Sequence, residues 1–131
     1  AYADEVLTAQ FGVTFKHFEF LAVLADVEPA DMTTLAPCLG VTKAAVSKRV
    51  PSFVDGDWIT ARSEPGAGRS IQLSLAPRGT DLVRTAGAVL EREFTELLAH
   101  PTLADDPIDV AHLNRQLVAL TDLVRQKESR S

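Results

Sequence analysis

The chain has 131 residues, a length that suits one domain with its own hydrophobic core. Its net charge of −5 argues against indiscriminate binding to nucleic acid, and its single cysteine excludes an intrachain disulfide and a cysteine-rich zinc site. The longest unbroken apolar stretch, residues 20–25, is far too short to span a membrane.

The N-terminal segment AYADEVLTAQ has no cationic stretch ahead of an apolar run, so we expect no secretory signal and a cytoplasmic location. Because the chain begins with Ala rather than Met, we expect it to be trimmed or processed at this end. Residues 15–27 follow as an apolar segment that predicts a helix.

Residues 33–40 predict a short helix that ends at a glycine. Thr33 or Thr34 is placed to cap its N-terminus, and Gly40 is placed to leave the helix in the left-handed conformation. Val41 is expected to lock the turn that follows.

A second helix is predicted after the turn, with Thr42 as its N-terminal cap. Positions at i, i+4 and i+7 form its buried face, which consists of Val46, Val50 and Phe53. The side chains that then point outward are Lys43, Ala44, Ser47 and Lys48. Two cations, a hydroxyl and a small side chain suit phosphates and base edges. The alternative is the ordinary solvated face of an amphipathic helix.

A β-hairpin is predicted next. Residues 58–62 have strand composition, residues 70–75 alternate strictly between apolar and polar, and the turn-rich tip between them carries Arg69. An arginine on such a tip is usually solvated, but beside a DNA-reading helix it can reach the adjacent minor groove. Helix, turn, helix and hairpin in this order predict a winged helix-turn-helix.

Charge is distributed unevenly along the chain. Residues 41–80 carry six cations and three acids, a net charge of +3, so the rest of the chain carries −8. A locally basic face on an acidic body concentrates binding on one surface.

Two more helices are predicted towards the C-terminus. Residues 78–100 form the first after Pro77, and the second begins with Asp106 as its cap and Pro107 at its first position. Apolar residues three and four positions apart give this last helix a heptad seam, made of Val110, Leu113, Leu117, Leu120 and Val124. The seam indicates either self-association or a helix folded back on its own core.

The ordered motifs LA-x-x-LGVT, VSKRV, WI, RSI-x-LSL and LAPRG resemble the MarR family of bacterial transcription regulators. The resemblance covers nearly the whole chain and implies one mainly α domain with a small β-hairpin wing. In it, a winged helix-turn-helix core, about 28–76, is flanked by dimerisation helices, about 1–12 and 77–128. It also implies a homodimer that binds palindromic operators in double-stranded DNA under the control of a small-molecule effector.

The resemblance also implies site residues. The recognition-helix positions fall on Thr42, Lys43, Ala44, Ala45, Ser47, Lys48 and Arg49, while Arg62 and Arg69 are the candidate DNA contacts of the wing. Relatives bind small aromatic or anionic ligands beside the dimer helices. The corresponding candidates are Phe11, Phe15, Lys16, His17 and Arg84. Alternatively, the phenylalanines of this region are core residues, which is the favoured interpretation for Phe18.

Four departures from the family pattern affect the wing and the recognition helix. The wing aspartate is replaced by Ala67, and the threonine that would cap the following helix is replaced by Ala76. The glycine that closes the recognition helix falls on Asp57, with Gly56 one position earlier. Pro51 lies inside that helix and is expected to kink or tighten it.

Other kinds of site have little support. Cys38 is expected to pack half-buried, and the three histidines, His17, His100 and His112, do not share a metal-ligand spacing. The sequence offers no nucleophile with its base, paired carboxylates or phosphate loop, so we expect no enzyme and no cofactor. The alternative function is a winged-helix module that binds protein, with weak or lost DNA binding.

Overall fold

The computed structural model describes residues 2–63 and 70–129. Within these ranges the predicted fold class is confirmed, since the chain is mainly α with one two-stranded antiparallel hairpin. The elements are α1 (Tyr2–Phe11), α2 (Phe15–Val27), α3 (Met32–Leu39), α4 (Lys43–Asp55), β1 (Ile59–Ser63), β2 (Ile71–Leu75), α5 (Pro77–Leu98), a 3-10 turn (Pro101–Leu103) and α6 (Val110–Ser129).

Residues 1–91 and 92–131 form two compact units. The first unit has a continuous apolar core to which every helix and strand up to α5 contributes. Its largest fully buried side chains are Phe20, Leu7, Leu21, Leu24, Leu35, Ile59, Leu73 and Val46. Three of these lie on α2, so α2 is the element around which the helix-turn-helix and the hairpin pack.

The helix α3 begins earlier than predicted. Asp31 is its cap and accepts a hydrogen bond from the Thr34 backbone N–H at 2.7 Å, so the prediction of Thr33 or Thr34 was wrong. A carboxylate is favoured here because it satisfies an unpaired N–H and faces the positive end of the helix dipole. The hydrogen bonds from Thr34 lower the pKa of the Asp31 carboxyl.

The turn between α3 and α4 is closed by the backbone. Gly40 has a φ of 69°, the left-handed conformation predicted for it. The Val41 N–H donates to the Ala36 carbonyl at 3.1 Å, while the Val41 side chain is 39% exposed. The expectation that this side chain locks the turn was therefore wrong.

The hairpin is anchored to the segment before α3. Ile59 pairs with Leu75 at the base of the two strands. On the other edge of β2, Leu73 and Ala30 exchange backbone hydrogen bonds of 2.8 and 3.0 Å, and a Glu28 carboxylate oxygen accepts from the Leu75 N–H at 3.1 Å. These contacts fix the base of the hairpin relative to the helix-turn-helix.

In the second unit, α6 begins later than predicted. Asp109 accepts a hydrogen bond from the His112 N–H at 3.1 Å and is followed by the first helical residue, Val110. The Asp106 N–H instead donates to the Leu103 carbonyl at 3.2 Å. Asp106 thus closes the preceding 3-10 turn and is not the cap, and Pro107 lies outside the helix.

Candidate nucleic-acid interface

The N-terminal turn of α4 is fixed by its cap. The Thr42 hydroxyl oxygen accepts a hydrogen bond from the Ala45 N–H at 3.1 Å, and Val46, Val50 and Phe53 are buried, as predicted. Because the opposite side of the helix is pinned into the core, the orientation of its outer face is determined. The Thr42 hydroxyl is already engaged in the cap.

The outer face of α4 is exposed and basic. Lys43, Ala44, Ser47 and Lys48 are exposed, and Ala45 is half-buried at the edge of this face. We call these four exposed residues the α4 outer face. It offers two ammonium groups, one hydroxyl and one methyl group, which match phosphate oxygens, base-edge acceptors and the thymine methyl.

Arg49 does not extend from this face. It is half-buried, and its Nη2 donates to the Lys16 backbone carbonyl at 3.0 Å. Its guanidinium carbon lies 5.0 Å from the Phe20 ring centroid and 5.6 Å from that of Phe53. Such cation–π contacts and the hydrogen bond hold α4 against α2.

Pro51 does not interrupt α4, which continues to Asp55. Pro51 is exposed, and so is Ser47, whose carbonyl loses its intrahelical donor because proline has no N–H. Water can satisfy a carbonyl on the exposed side, which reduces the cost of a proline at this position.

The end of α4 is shaped by two unusual residues. Asp57 has a φ of 60°, so an aspartate adopts the left-handed conformation at the position where the family pattern has glycine. Gly56 has a φ of −83°, but a Cβ there would lie 2.7 Å from Cδ1 of Trp58. Gly56 is therefore required by the close approach of the indole ring.

Arg78, at the start of α5, packs against the C-terminal end of α4. Its Nη1 donates to the Gly56 carbonyl at 2.5 Å, and its guanidinium carbon lies 3.8 Å from the Trp58 ring centroid. The Ala76 N–H donates to the Trp58 carbonyl at 3.0 Å. Our reading of the sequence missed the pairing of Trp58 with Arg78. A possible signal was the position of the two residues just outside the two predicted strands, because the observed pairing of Ile59 with Leu75 brings the residues that flank these strands together.

In the hairpin, Arg62 is exposed and pairs with Gln72, on the sheet face that also carries Thr60. The predicted wing residues Ala67 and Arg69 lie outside the described residues. Among the hairpin residues that the structure describes, 59–63 and 71–75, Arg62 is the one cation.

The candidate effector residues are engaged in different ways. His17 packs against Phe53 and Trp58, with both ring-centroid distances at 4.7 Å. Arg84 forms an ion pair with Asp81 at 2.6 Å on the surface of α5.

The phenylalanines of this region differ in how deeply they are buried. Phe11 and Phe18 are partly buried against the core, and Phe20 belongs to it. Phe15 is 37% exposed, and Lys16 and Arg84 are exposed, so a ligand could reach these three members of the candidate set directly.

Cys38 is exposed, contrary to the expected packing position, and its thiol donates to the Thr34 carbonyl at 3.5 Å. The cause is the burial of Leu35 and Ala36, which turns Cys38 to the outer side of α3. In the ranges 2–63 and 70–129, no group of three or more His, Cys, Asp or Glu side chains could hold a metal ion. In the same ranges, no helix is both long and apolar enough to cross a membrane.

A helix-turn-helix with a basic outer face, followed by an anchored hairpin, defines a winged helix-turn-helix protein. The sequence model of the MarR family matches residues 11–70, which confirms the resemblance inferred from the motifs. No curated protein sequence matches the chain.

Solved structures share the fold over most of the chain. A MarR/EmrR family transcriptional regulator from Acinetobacter sp. ADP1 is 20% identical, with a TM-score of 0.76 over 99% of this chain and 86% of its own. The transcriptional regulator BldR from Sulfolobus solfataricus is 20% identical, with a TM-score of 0.76 over 92% of this chain and 82% of its own. MepR from Staphylococcus aureus, in complex with DNA, is 16% identical, with a TM-score of 0.70 over 95% and 86%.

Proposed function

We propose that this protein is a sequence-specific DNA-binding transcriptional regulator, with no enzymatic activity of its own, that acts as a homodimer on palindromic operators. The observation that carries the proposal is the α4 outer face. Its four side chains are exposed, and the opposite face of the same helix is fixed in the core. A rigid helix with exposed ammonium and hydroxyl groups is suited to the major groove.

Roles follow from position and chemistry. Lys43 and Ser47 are proposed to contact base edges, and Ala44 to contact a thymine methyl. Lys48, further along the exposed face, is proposed to bind phosphate, with Arg62 and Arg69 of the hairpin on the flanking DNA. Arg49 is left out of this set because its guanidinium is occupied by the Lys16 carbonyl.

The solved MepR–DNA complex, with the same fold, adds support for DNA as the partner. The negative net charge of the whole chain is compatible with DNA binding, because the charges of residues 41–80 sum to +3 while the rest of the chain carries −8. DNA is then expected to bind only at the basic surface. Attraction between this surface and DNA raises the association rate, and this effect decreases steeply as salt increases.

The homodimer is proposed from α6. The five heptad-seam residues on this helix are each between 44% and 58% exposed in the single chain, and they are Val110, Leu113, Leu117, Leu120 and Val124. An apolar strip at heptad spacing along a 20-residue helix is the surface that a second identical helix covers. A two-fold dimer presents two α4 outer faces, which is why palindromic operators are expected.

An effector is proposed at the exposed part of the region around Phe15 and Lys16, where an aromatic ring and a cation are neighbours in sequence. An anionic aromatic ligand is the chemistry that fits such a pair. Binding there would alter DNA affinity only if the ligand favours one conformation of the protein over the other.

The test is selection of bound sequences from a random double-stranded oligonucleotide pool. We expect enrichment of a palindrome, and an affinity for it that falls steeply as salt increases. Variants Lys43→Ala and Lys48→Ala are compared with Lys127→Ala, which removes an exposed cation from the end of α6. If no sequence is enriched, the alternative of a protein-binding winged-helix module replaces the DNA-binding proposal.

A further inference from the structure

His17 occupies a junction of four elements in the first compact unit. It lies on α2, and its ring centroid is 4.7 Å from the ring of Phe53 on α4 and 4.7 Å from the ring of Trp58, which precedes β1. The guanidinium carbon of Arg78, on α5, lies 3.8 Å from the Trp58 ring centroid. The imidazole thus touches both the recognition helix and the base of the hairpin.

The junction favours a neutral imidazole. Nε2 of His17 is buried and has no hydrogen-bond partner among the described residues, so none of them accepts a hydrogen bond from the Nε2–H of an imidazolium. The partial burial of the ring lowers the pKa of His17, and the positive charges of Arg49 on α4 and Arg78 on α5 lower it further.

Both guanidinium groups are held in place. Arg49 is fixed by the Lys16 carbonyl at 3.0 Å, and Arg78 is fixed by the Gly56 carbonyl at 2.5 Å. A proton on His17 would therefore face two cations that cannot easily move away. The other charged groups close to the junction in sequence are Lys16 and Glu19 on α2 and Asp55 and Asp57 at the end of α4.

We propose that neutral His17 is a positioning residue for DNA binding, which holds α4 and the hairpin base in the arrangement that fits DNA, and that its protonation releases this arrangement under mildly acidic conditions. The inference rests on the proposed function. His17 touches no DNA in this scheme, and it acts through Phe53 and Trp58.

The direction of the pH effect follows from the lowered pKa. The stabilisation by neutral His17 is fully present above about pH 6.5, the pKa of an unperturbed histidine, and is lost as the pH falls through the lower pKa of the folded protein. DNA affinity should therefore decrease between pH 7.5 and pH 5.5. Electrostatics alone predict the opposite sign, because acidification makes the protein more positive and phosphate binding stronger.

Two readouts test the proposal in the full-length protein. The first is affinity for the selected DNA at constant salt. For each His17 of the bound protein it should fall by up to roughly tenfold per unit by which the pKa in the DNA-bound arrangement lies below that in the released arrangement. The second is the emission of Trp58, the only tryptophan of the chain, which the neighbouring imidazole should change as it gains a proton. Both changes should occur together in the parent protein and be absent in His17→Gln.

The controls are His100→Gln and His112→Gln, which remove the other histidines and should keep both changes. An affinity that rises or stays constant towards pH 5.5 in the parent protein overturns the proposal, as does an unchanged Trp58 emission. These two measurements need no variant, so a His17→Gln protein that does not fold leaves the test intact. Failure of the proposed function is recognised separately, as absence of DNA binding at pH 7.5 before any acid is added.

Discussion

Nη2 of Arg49 donates a hydrogen bond to the main-chain carbonyl of Lys16 at 3.0 Å, across 33 positions of the sequence. The bond ties the middle of the recognition helix α4 to the first turn of α2. Because a backbone carbonyl is the acceptor, the contact does not depend on which side chain stands at position 16. Arg49 thereby has a structural role at a position where the family pattern suggests a DNA contact.

Arg49→Ala should lower the free energy of unfolding by about 1–3 kcal/mol, the combined loss of one charged hydrogen bond and cation–π contacts with Phe20 and Phe53. Urea denaturation measures this value, and Lys48→Ala, on the exposed face of the same helix, is the matched control with little effect. An Arg49→Ala protein of parental stability that no longer binds DNA would show instead that Arg49 is a DNA contact.

The recognition helix should separate into residues that read bases and residues that bind phosphate. Lys48→Ala should weaken binding to all sequences alike and reduce the slope of log affinity against log salt by about one unit. Lys43→Ala or Ser47→Ala should instead change the preferred sequence, at a cost of ~1–3 kcal/mol for a good base contact. Titration of fluorescent operators over a range of salt concentrations distinguishes the two behaviours. Parental binding by all three variants would exclude the α4 outer face as the reading surface.

Helix periodicity and capping chemistry predicted the parts of the fold that depend on local sequence. The bounds Phe15–Val27 of α2 and the Thr42 cap of α4 were predicted correctly, because one strong local signal was present at each place. Errors occurred where more than one residue could cap the same helix. The caps are Asp31 and Asp109, whereas the predicted caps, Thr33 or Thr34 and Asp106, fit the local pattern equally well.

The contacts of the candidate site were less predictable, because they depend on tertiary neighbours. A helical wheel gives the exposed position of Lys48, but it cannot show that Arg49 bends towards Phe20, a residue of another helix. In the same way, the residues around His17 come from α4, α5 and the hairpin, far from it in sequence. The sequence therefore predicts which side of α4 is exposed, but not which of its cations is free.

The heptad seam of α6 should control the oligomeric state. Leu117→Lys places a charge on the seam at a residue that is 53% exposed in the single chain, and it should shift the protein from dimer to monomer because the ammonium would be buried in the interface. Gln116→Lys, one position away on the same helix, adds the same charge beside the seam and should leave the dimer intact. Sedimentation at micromolar concentration gives the result.

The dimer prediction has a consequence for DNA. Half-sites of the operator should lie about one helical turn apart, ~10 base pairs or a small multiple, because their spacing mirrors the two-fold protein. Deletion of residues 105–131 should give a monomer or an insoluble chain. A parent protein that sediments as a monomer would remove the two-fold interpretation and the palindromic operator with it.

The junction between α4 and the hairpin should respond oppositely to two neighbouring substitutions. Asp57→Gly should stabilise the protein by roughly 0.5–1 kcal/mol, because a φ of 60° is strained for aspartate and free for glycine. Gly56→Ala should destabilise it, because the new Cβ would lie 2.7 Å from Cδ1 of Trp58 and displace the indole from Arg78. Urea denaturation followed by Trp58 emission measures both values. If Asp57→Gly were destabilising, the aspartate side chain would have a stabilising role that outweighs the backbone strain.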